Sequence, residues 1–183
     1  MPSFYNDLVT QKSWQTLQNL RGKLDFILIG GWAVYLYTKA LKSKDIDIII
    51  NFDQLDKLKN DFEIIKNDRL KKYEARREEV QIDIYLPHYS NIRIPVENIT
   101  DLTKIDTFTV PSLEMLVILK QLAYEERGSS PKGQKDKLDI LSLLFFGSFN
   151  AAKYQKLVKK LSLKLELGKI IKETIKIPEL GIN

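Results

Sequence analysis

Asp45 and Asp47 lie two residues apart in the segment Asp-Ile-Asp-Ile-Ile-Ile-Asn. Its opening alternation and its isoleucines predict a β-strand. Alternation puts both carboxylates on one face, with Ile46 and Ile48 on the other. Two carboxylates that close repel each other unless a cation lies between them. A solvent-facing, half-buried strand would tolerate them without any function. However, Ile48, Ile49 and Ile50 follow without alternation, as in a strand covered on both faces. Aspartates at the opening of such a strand suit a role as hard oxygen ligands for Mg2+. Asp83 stands inside Val-Gln-Ile-Asp-Ile-Tyr-Leu, among strand formers, where aspartate is depleted. If that strand neighbours the first, Asp83 completes a three-carboxylate site. Such a site can hold two Mg2+ ions, clamp a triphosphate and lower the pKa of an attacking hydroxyl. Asp83 would then serve the ion nearest the acceptor and could accept its proton.

Two further features suit an anionic ligand. The apolar run at 24–29 ends in Gly30-Gly31 and a helix pattern follows directly. Glycines let backbone approach a phosphate closely, and a helix N-terminus offers free N–H groups. A Gly-Gly pair alone is equally ordinary turn chemistry. Lys120, Tyr124 and Arg127 fall at i, i+4 and i+7, one face of a helix. They are either counter-charges for a triphosphate or a solvated face beside Glu125 and Glu126.

The elements that must position these residues follow from periodicity. Residues 2–21 read as a helix, 24–29 as a buried strand, 32–42 as a helix and 45–51 as a strand. Asp53 is placed to cap a helix over 54–66. Residues 71–76 and 79–86 read as paired strands around a charged stretch, and 91–96 and 104–110 as further strands. Pro111 suits the first position of a helix running to Arg127. The clearest linker is 128–133, Gly-Ser-Ser-Pro-Lys-Gly. Helices over 134–146, 151–161 and 163–176 follow. The expected fold is therefore α+β, a mixed α/β core over 1–110 with a sheet flanked by helices, and then a C-terminal helical bundle over 111–183.

The 183-residue chain has no cysteine, a single histidine, a net charge of +5 and a pI near 9.2. These counts exclude a disulfide framework, a thiolate zinc site and a cysteine nucleophile. His88 follows Pro87 at a strand end and reads as an exposed loop residue. The basic balance favours anionic partners. No stretch is long and apolar enough to span a bilayer and the first twenty residues lack a secretory pattern, so a cytoplasmic protein is expected. Lysines recur through the last helices, at 153, 156, 159, 160, 164, 169, 172 and 176. They serve solubility or form a track for tRNA or another RNA.

The order Ile29-Gly30-Gly31, then Asp45-Ile46-Asp47-Ile48, then Asp83 on a later strand resembles the nucleotidyltransferase superfamily of polymerase-beta type. The segments GGWAVYLY and LKSKDIDI, and the later LKQLAYEERGSSPKGQKDKLDILSLL, look closest to AbiEii-type and minimal nucleotidyltransferase toxins of toxin–antitoxin systems. The resemblance covers about 25–144. It implies a nucleoside triphosphate (NTP) donor, two Mg2+ ions on Asp45, Asp47 and Asp83, and nucleotide contacts from Gly30, Gly31, Lys120, Arg127, Lys135 and Asp136, with Asp139 in the same motif. The family often has Ser where Gly31 stands. It often has Arg and Thr near Lys42 and Ser43, which keep the charge and the hydroxyl but lose the bidentate fork. The implied acceptor is an RNA 3′ end, a protein hydroxyl or a small molecule such as an aminoglycoside, the toxin likeness favouring RNA or protein. An antitoxin partner is implied as well. The alternative is a retired enzyme that binds a nucleotide or a partner without turnover.

Overall fold

The computed structural model describes residues 2–175. Helix α1 (Pro2–Leu20) leads to β1 (Ile27–Ile29), α2 (Gly30–Thr38) and β2 (Ile46–Ile49). A 3₁₀ helix (Phe52–Leu58) precedes β3 (Glu63–Asn67), β4 (Lys72–Arg77) and β5 (Val80–Tyr85). The hairpin of β6 (Leu102–Ile105) and β7 (Phe108–Pro111) follows, and then α3 (Leu113–Arg127), α4 (Pro131–Phe146), α5 (Ala151–Lys160) and α6 (Leu167–Ile175). The fold is mixed α/β. Its strands form one seven-stranded sheet in the order β3-β4-β5-β2-β1-β7-β6.

Strand β2 occupies the middle of the sheet, parallel to β5 and antiparallel to β1. Its register is set by burial. Ile46 and Ile48 are both fully buried, and each contributes about 1.5–3 kcal/mol by leaving water. A one-residue slip would expose both and bury Asp47, so the aspartate face is strongly specified. Ile49 and Ile50 are buried too, which matches a strand covered on both faces. Trp32 of α2 is 1% exposed. Its indole N–H donates to Ser13 Oγ at 2.8 Å and its ring lies 4.9 Å from that of Trp14. Those contacts fasten α1 to α2, while α1 also packs on β5.

Several boundaries differ from the sequence expectations. Residues 54–66 are not one helix: a 3₁₀ helix ends at Leu58 and β3 begins at Glu63. Ile64 and Ile65, β-branched and half-buried, pair there with Ala75 and Glu74. The span 91–96 is a tight turn with a single bridge between Asn91 and Pro95, and Arg93 has φ +68°. The strand over 104–110 is a hairpin, since Asp106 turns with φ +53°. Pro111 ends β7, and Ser112 caps α3 by accepting from the Met115 N–H. Only 128–130 form the turn after α3, because Ser130 caps α4 and Pro131 is its first residue. Helix α6 begins at Leu167, after Ser162 takes φ +54°; residue 176 lies outside the described residues.

Candidate active site

The register brings acidic residues from separate strands into one row. Asp47 on β2 lies opposite Asp83 on β5, Asp83 lies opposite Glu74 on β4, and Ile29 on β1 lies opposite Asp47. Partners in register share a face, so Asp47, Asp83 and Glu74 stand abreast. Asp45 sits in the bend before β2, exposed, and within electrostatic reach of Asp47. Burial above all, then the charge of Asp83, pushes the Asp47 carboxyl up from 3.8 to about 6. Lys120 and Lys72 pull it down, and Asp45 adds to the rise.

Gly30 takes φ +68°, and a Cβ there would meet Asp47 Oδ2 at 2.1 Å. The position therefore requires glycine for both conformation and space. Gly31 is packed otherwise: a Cβ would meet Ser43 Oγ at 2.7 Å and Lys135 Nζ at 3.1 Å. Gly31, Ser43 and Lys135 thus converge at the start of α2. Lys42 is exposed and, among the described residues, joins no ion pair of the site.

Helices α3 and α4 wall the opposite side. Lys120 Nζ lies 3.0 Å from Asp136 and 2.7 Å from Asp139, and Arg127 lies 2.7 Å from Asp136. Asp136 and Asp139 are 2% and 1% exposed. This overturns the picture of a surface pair between Lys135 and Asp139. Burial lowers the Lys120 pKa, but Asp139 and Asp136 more than offset it, and the ammonium is held above its usual value. Tyr124 turns toward α6, beside Lys164 and Lys169, so the cleft face of α3 carries Leu116, Lys120, Ala123 and Arg127 instead.

Between sheet and helices lies an open cleft of about 640 Å³, lined by Gly30, Asp47, Asp83, Tyr85, Lys120, Arg127 and Asp136. Lys72 and Arg93 also line it. Lys72 Nζ lies 2.5 Å from Asp83 Oδ2, and Gln81 donates to Asp83 Oδ1 at 2.8 Å. Burial, and then the charges of Asp47 and Asp83, hold the Tyr85 phenol well above its ordinary pKa; its hydroxyl bonds to Asp47.

Asp47 and Asp83 fit a divalent ion as paired hard oxygen ligands, with the approach at Gly30 clear of any side chain. Among the described residues, no three His, Cys, Asp or Glu side chains are arranged to hold a metal. Asp45 is exposed, and Glu74 is held by Asn67 at 3.0 Å and Arg76 at 2.5 Å.

Sequence reasoning missed Lys72, Glu74 and Tyr85. The usable signal is the period of two in Lys72, Glu74 and Arg76, which puts charge on one strand face toward Asp83. His88 is an exposed loop residue paired with Glu97 at 3.3 Å, as its sequence context implied. No described helix is long and apolar enough to cross a membrane.

The sequence matches no family model and no curated protein. Its structure is similar to the solution structure of the antibiotic-resistance factor ANT(2'')-Ia. The TM-score is 0.59 at 14% identity, over 86% of this chain and 92% of that one. The crystal structure of ANT(2'')-Ia in complex with adenylyl-2''-tobramycin gives 0.58 at 16% identity, over 85% and 97%. The Megavirus polyadenylate synthase gives 0.52 at 14% identity, over 93% of this chain and 38% of that one. Taken with the register of Asp47 and Asp83, these likenesses identify the fold of the chain as that of the nucleotidyltransferase superfamily.

Proposed function

We propose that this protein is a magnesium-dependent nucleotidyltransferase. It moves a nucleoside monophosphate from an NTP to an acceptor hydroxyl. The observation that carries the reading is the pairing of Asp47 with Asp83 on adjacent strands, beside a Gly30 that leaves Asp47 uncovered. Asp47 and Asp83 are the residues to hold Mg2+, with Asp45 at the rim. The ion would supply charge neutralisation on the triphosphate and a lowered pKa for the attacking hydroxyl. The acceptor oxygen forms a bond to the α-phosphorus, the bond to the pyrophosphate leaving group breaks, and Asp83 takes the acceptor proton. Gly30, Gly31, Ser43 and Lys135 lie at the start of α2, where backbone N–H groups suit phosphate oxygens. Lys120 and Arg127, fixed by Asp136, keep positive charge on the cleft wall.

The charges of the cleft bear on the acceptor. Asp83 and Asp136 already have cationic partners. Exposed Arg93 and Lys132 have none among the described residues, and both line the cleft. A polycationic acceptor such as an aminoglycoside needs a wall of free carboxylates. An anionic acceptor, an RNA 3′ end above all, fits better. In the toxin–antitoxin setting that the sequence resembles, RNA or a protein hydroxyl is the expected acceptor.

Isothermal titration of the four NTPs with and without Mg2+, on wild type and on Asp47→Asn, tests the site. Magnesium-dependent binding lost in the variant supports it; binding blind to both changes sinks it. Transfer of an α-labelled nucleotide to RNA then separates an enzyme from the retired-module reading. Asp83→Asn should abolish labelling in the first case, whereas in the second no variant labels anything.

A further inference from the structure

Lys72 stands between two carboxylates. Its Nζ is 2.5 Å from Asp83 Oδ2 and 3.5 Å from Glu74 Oε1. Its side chain is 9% exposed, that of Glu74 7% and that of Asp83 15%. All three side chains share one face of adjacent strands. Glu74 and Asp83 are direct partners, and Lys72 lies two residues from Glu74 on β4. Glu74 itself is immobilised, since Asn67 donates to Oε1 and Arg76 to Oε2. The geometry gives Lys72 two anionic positions about one ångström apart in reach, the nearer of which is the carboxylate assigned above to the divalent ion.

We propose that Lys72 is a resident counter-cation of Asp83 that a divalent ion must displace, and that Glu74 is the built-in receiver of the displaced ammonium. The inference rests on the reading of Asp47 and Asp83 as a metal site. A buried carboxylate pair without a cation is strongly unfavourable, and so is a buried lysine without an anion. Lys72 and Glu74 together avoid both: Lys72 serves Asp83 first, and Glu74 keeps Lys72 paired after the exchange. No bond is made or broken and no proton moves; the ammonium trades one charge-assisted hydrogen bond for another. Lys72 and Glu74 are thus positioning residues that set how tightly the site takes its metal, acting through Asp83.

The test is a titration of Mn2+ alone, followed by its electron paramagnetic resonance signal, with no nucleotide and no turnover. Lys72→Met removes the competitor at nearly constant shape and should bind Mn2+ about tenfold more tightly than wild type. Glu74→Gln removes the receiver and should bind several-fold more weakly. In the Lys72→Met background, Glu74→Gln should be silent, because no ammonium remains to receive. That silence is something a merely structural Glu74 would not produce. Equal or weaker binding by Lys72→Met, with Mn2+ bound by wild type and lost in Asp47→Asn, overturns the exchange and leaves the metal site standing. Absence of Mn2+ binding from wild type and all variants that melt cooperatively overturns the metal site itself. Should Lys72→Met fail to fold, the Glu74→Gln titration decides alone: unchanged affinity there overturns the proposal.

Discussion

Asp47 is the most electrostatically strained carboxylate of the cleft, and its titration should be visible in stability. Its pKa is pushed up from 3.8 to about 6, first by burial and then by Asp83. Between those values the folded chain holds a proton that the unfolded chain has released, so raising the pH favours unfolding. The penalty is absent below 3.8 and complete above about 6, and such a shift corresponds to at most about 3 kcal/mol. In EDTA, wild type should therefore lose stability relative to Asp47→Asn as pH rises through that window. Denaturant melts across it are the check, and parallel profiles would refute the assignment. Gly30 gives a second prediction. Alanine there meets both a left-handed φ and the Asp47 carboxylate, so Gly30→Ala should cost about 1–2 kcal/mol of stability. It should also abolish Mg2+-dependent NTP titration heat. Unchanged binding would place the nucleotide elsewhere. Both residues were legible in the sequence, Asp47 through alternation and Gly30 through its place at a strand end. Lys72 and Glu74 were not, because a charged pair on a strand reads as solvent-facing until the neighbouring strand is known.

At the scale of elements, α3 and α4 are joined by a buried ion network. Lys120 serves two carboxylates, and Arg127 shares one of them. Removing Lys120 leaves Asp139 buried with no cation, since neither of its oxygens has another well-formed hydrogen bond. Lys120→Met should therefore cost about 3–5 kcal/mol. Asp139→Asn leaves Lys120 paired with Asp136 and should cost about 1–2 kcal/mol. The double variant should be less unstable than the sum of the two. Chemical denaturation of this double-mutant cycle measures the coupling, and strict additivity would show that the two groups do not act together. The sequence foretold both helices from their apolar period, and it placed Lys120, Asp136 and Asp139 together through resemblance. It missed β3, because an edge strand with exposed Glu63 and Lys66 carries little alternation of its own. Its strand character comes from hydrogen bonds to β4, which are not local. Residues 104–110 misled in the same way, since Asp106 alone marks the turn.

At the scale of the whole molecule, the charge of +5 is spread unevenly, and its distribution decides where an RNA acceptor would run. One candidate path follows the cleft mouth past Arg93 and Lys132, both exposed. The other follows the outer face of α5, where Lys156, Lys159 and Lys160 are exposed while Lys153 is spent on Asp101 and Glu114. Helix α5 packs on α3, and Lys153 ties it near Glu114, at the helix start. The cleft instead takes Leu116 through Arg127 from the later turns. A strand whose 3′ hydroxyl sits at Asp83 should therefore lean on Arg93 and Lys132 first. Each single-strand phosphate contact contributes a slope of about −0.7 to log K against log salt. Arg93→Ala/Lys132→Ala should weaken RNA binding and flatten that slope by roughly 1–1.5, with Mg2+-dependent NTP binding little changed. Lys156→Ala/Lys159→Ala/Lys160→Ala should leave the slope where it is. Fluorescence anisotropy of a labelled oligoribonucleotide over a salt series distinguishes the two paths. The reverse pattern would move the acceptor track onto α5, and a slope blind to both sets would remove RNA as the acceptor.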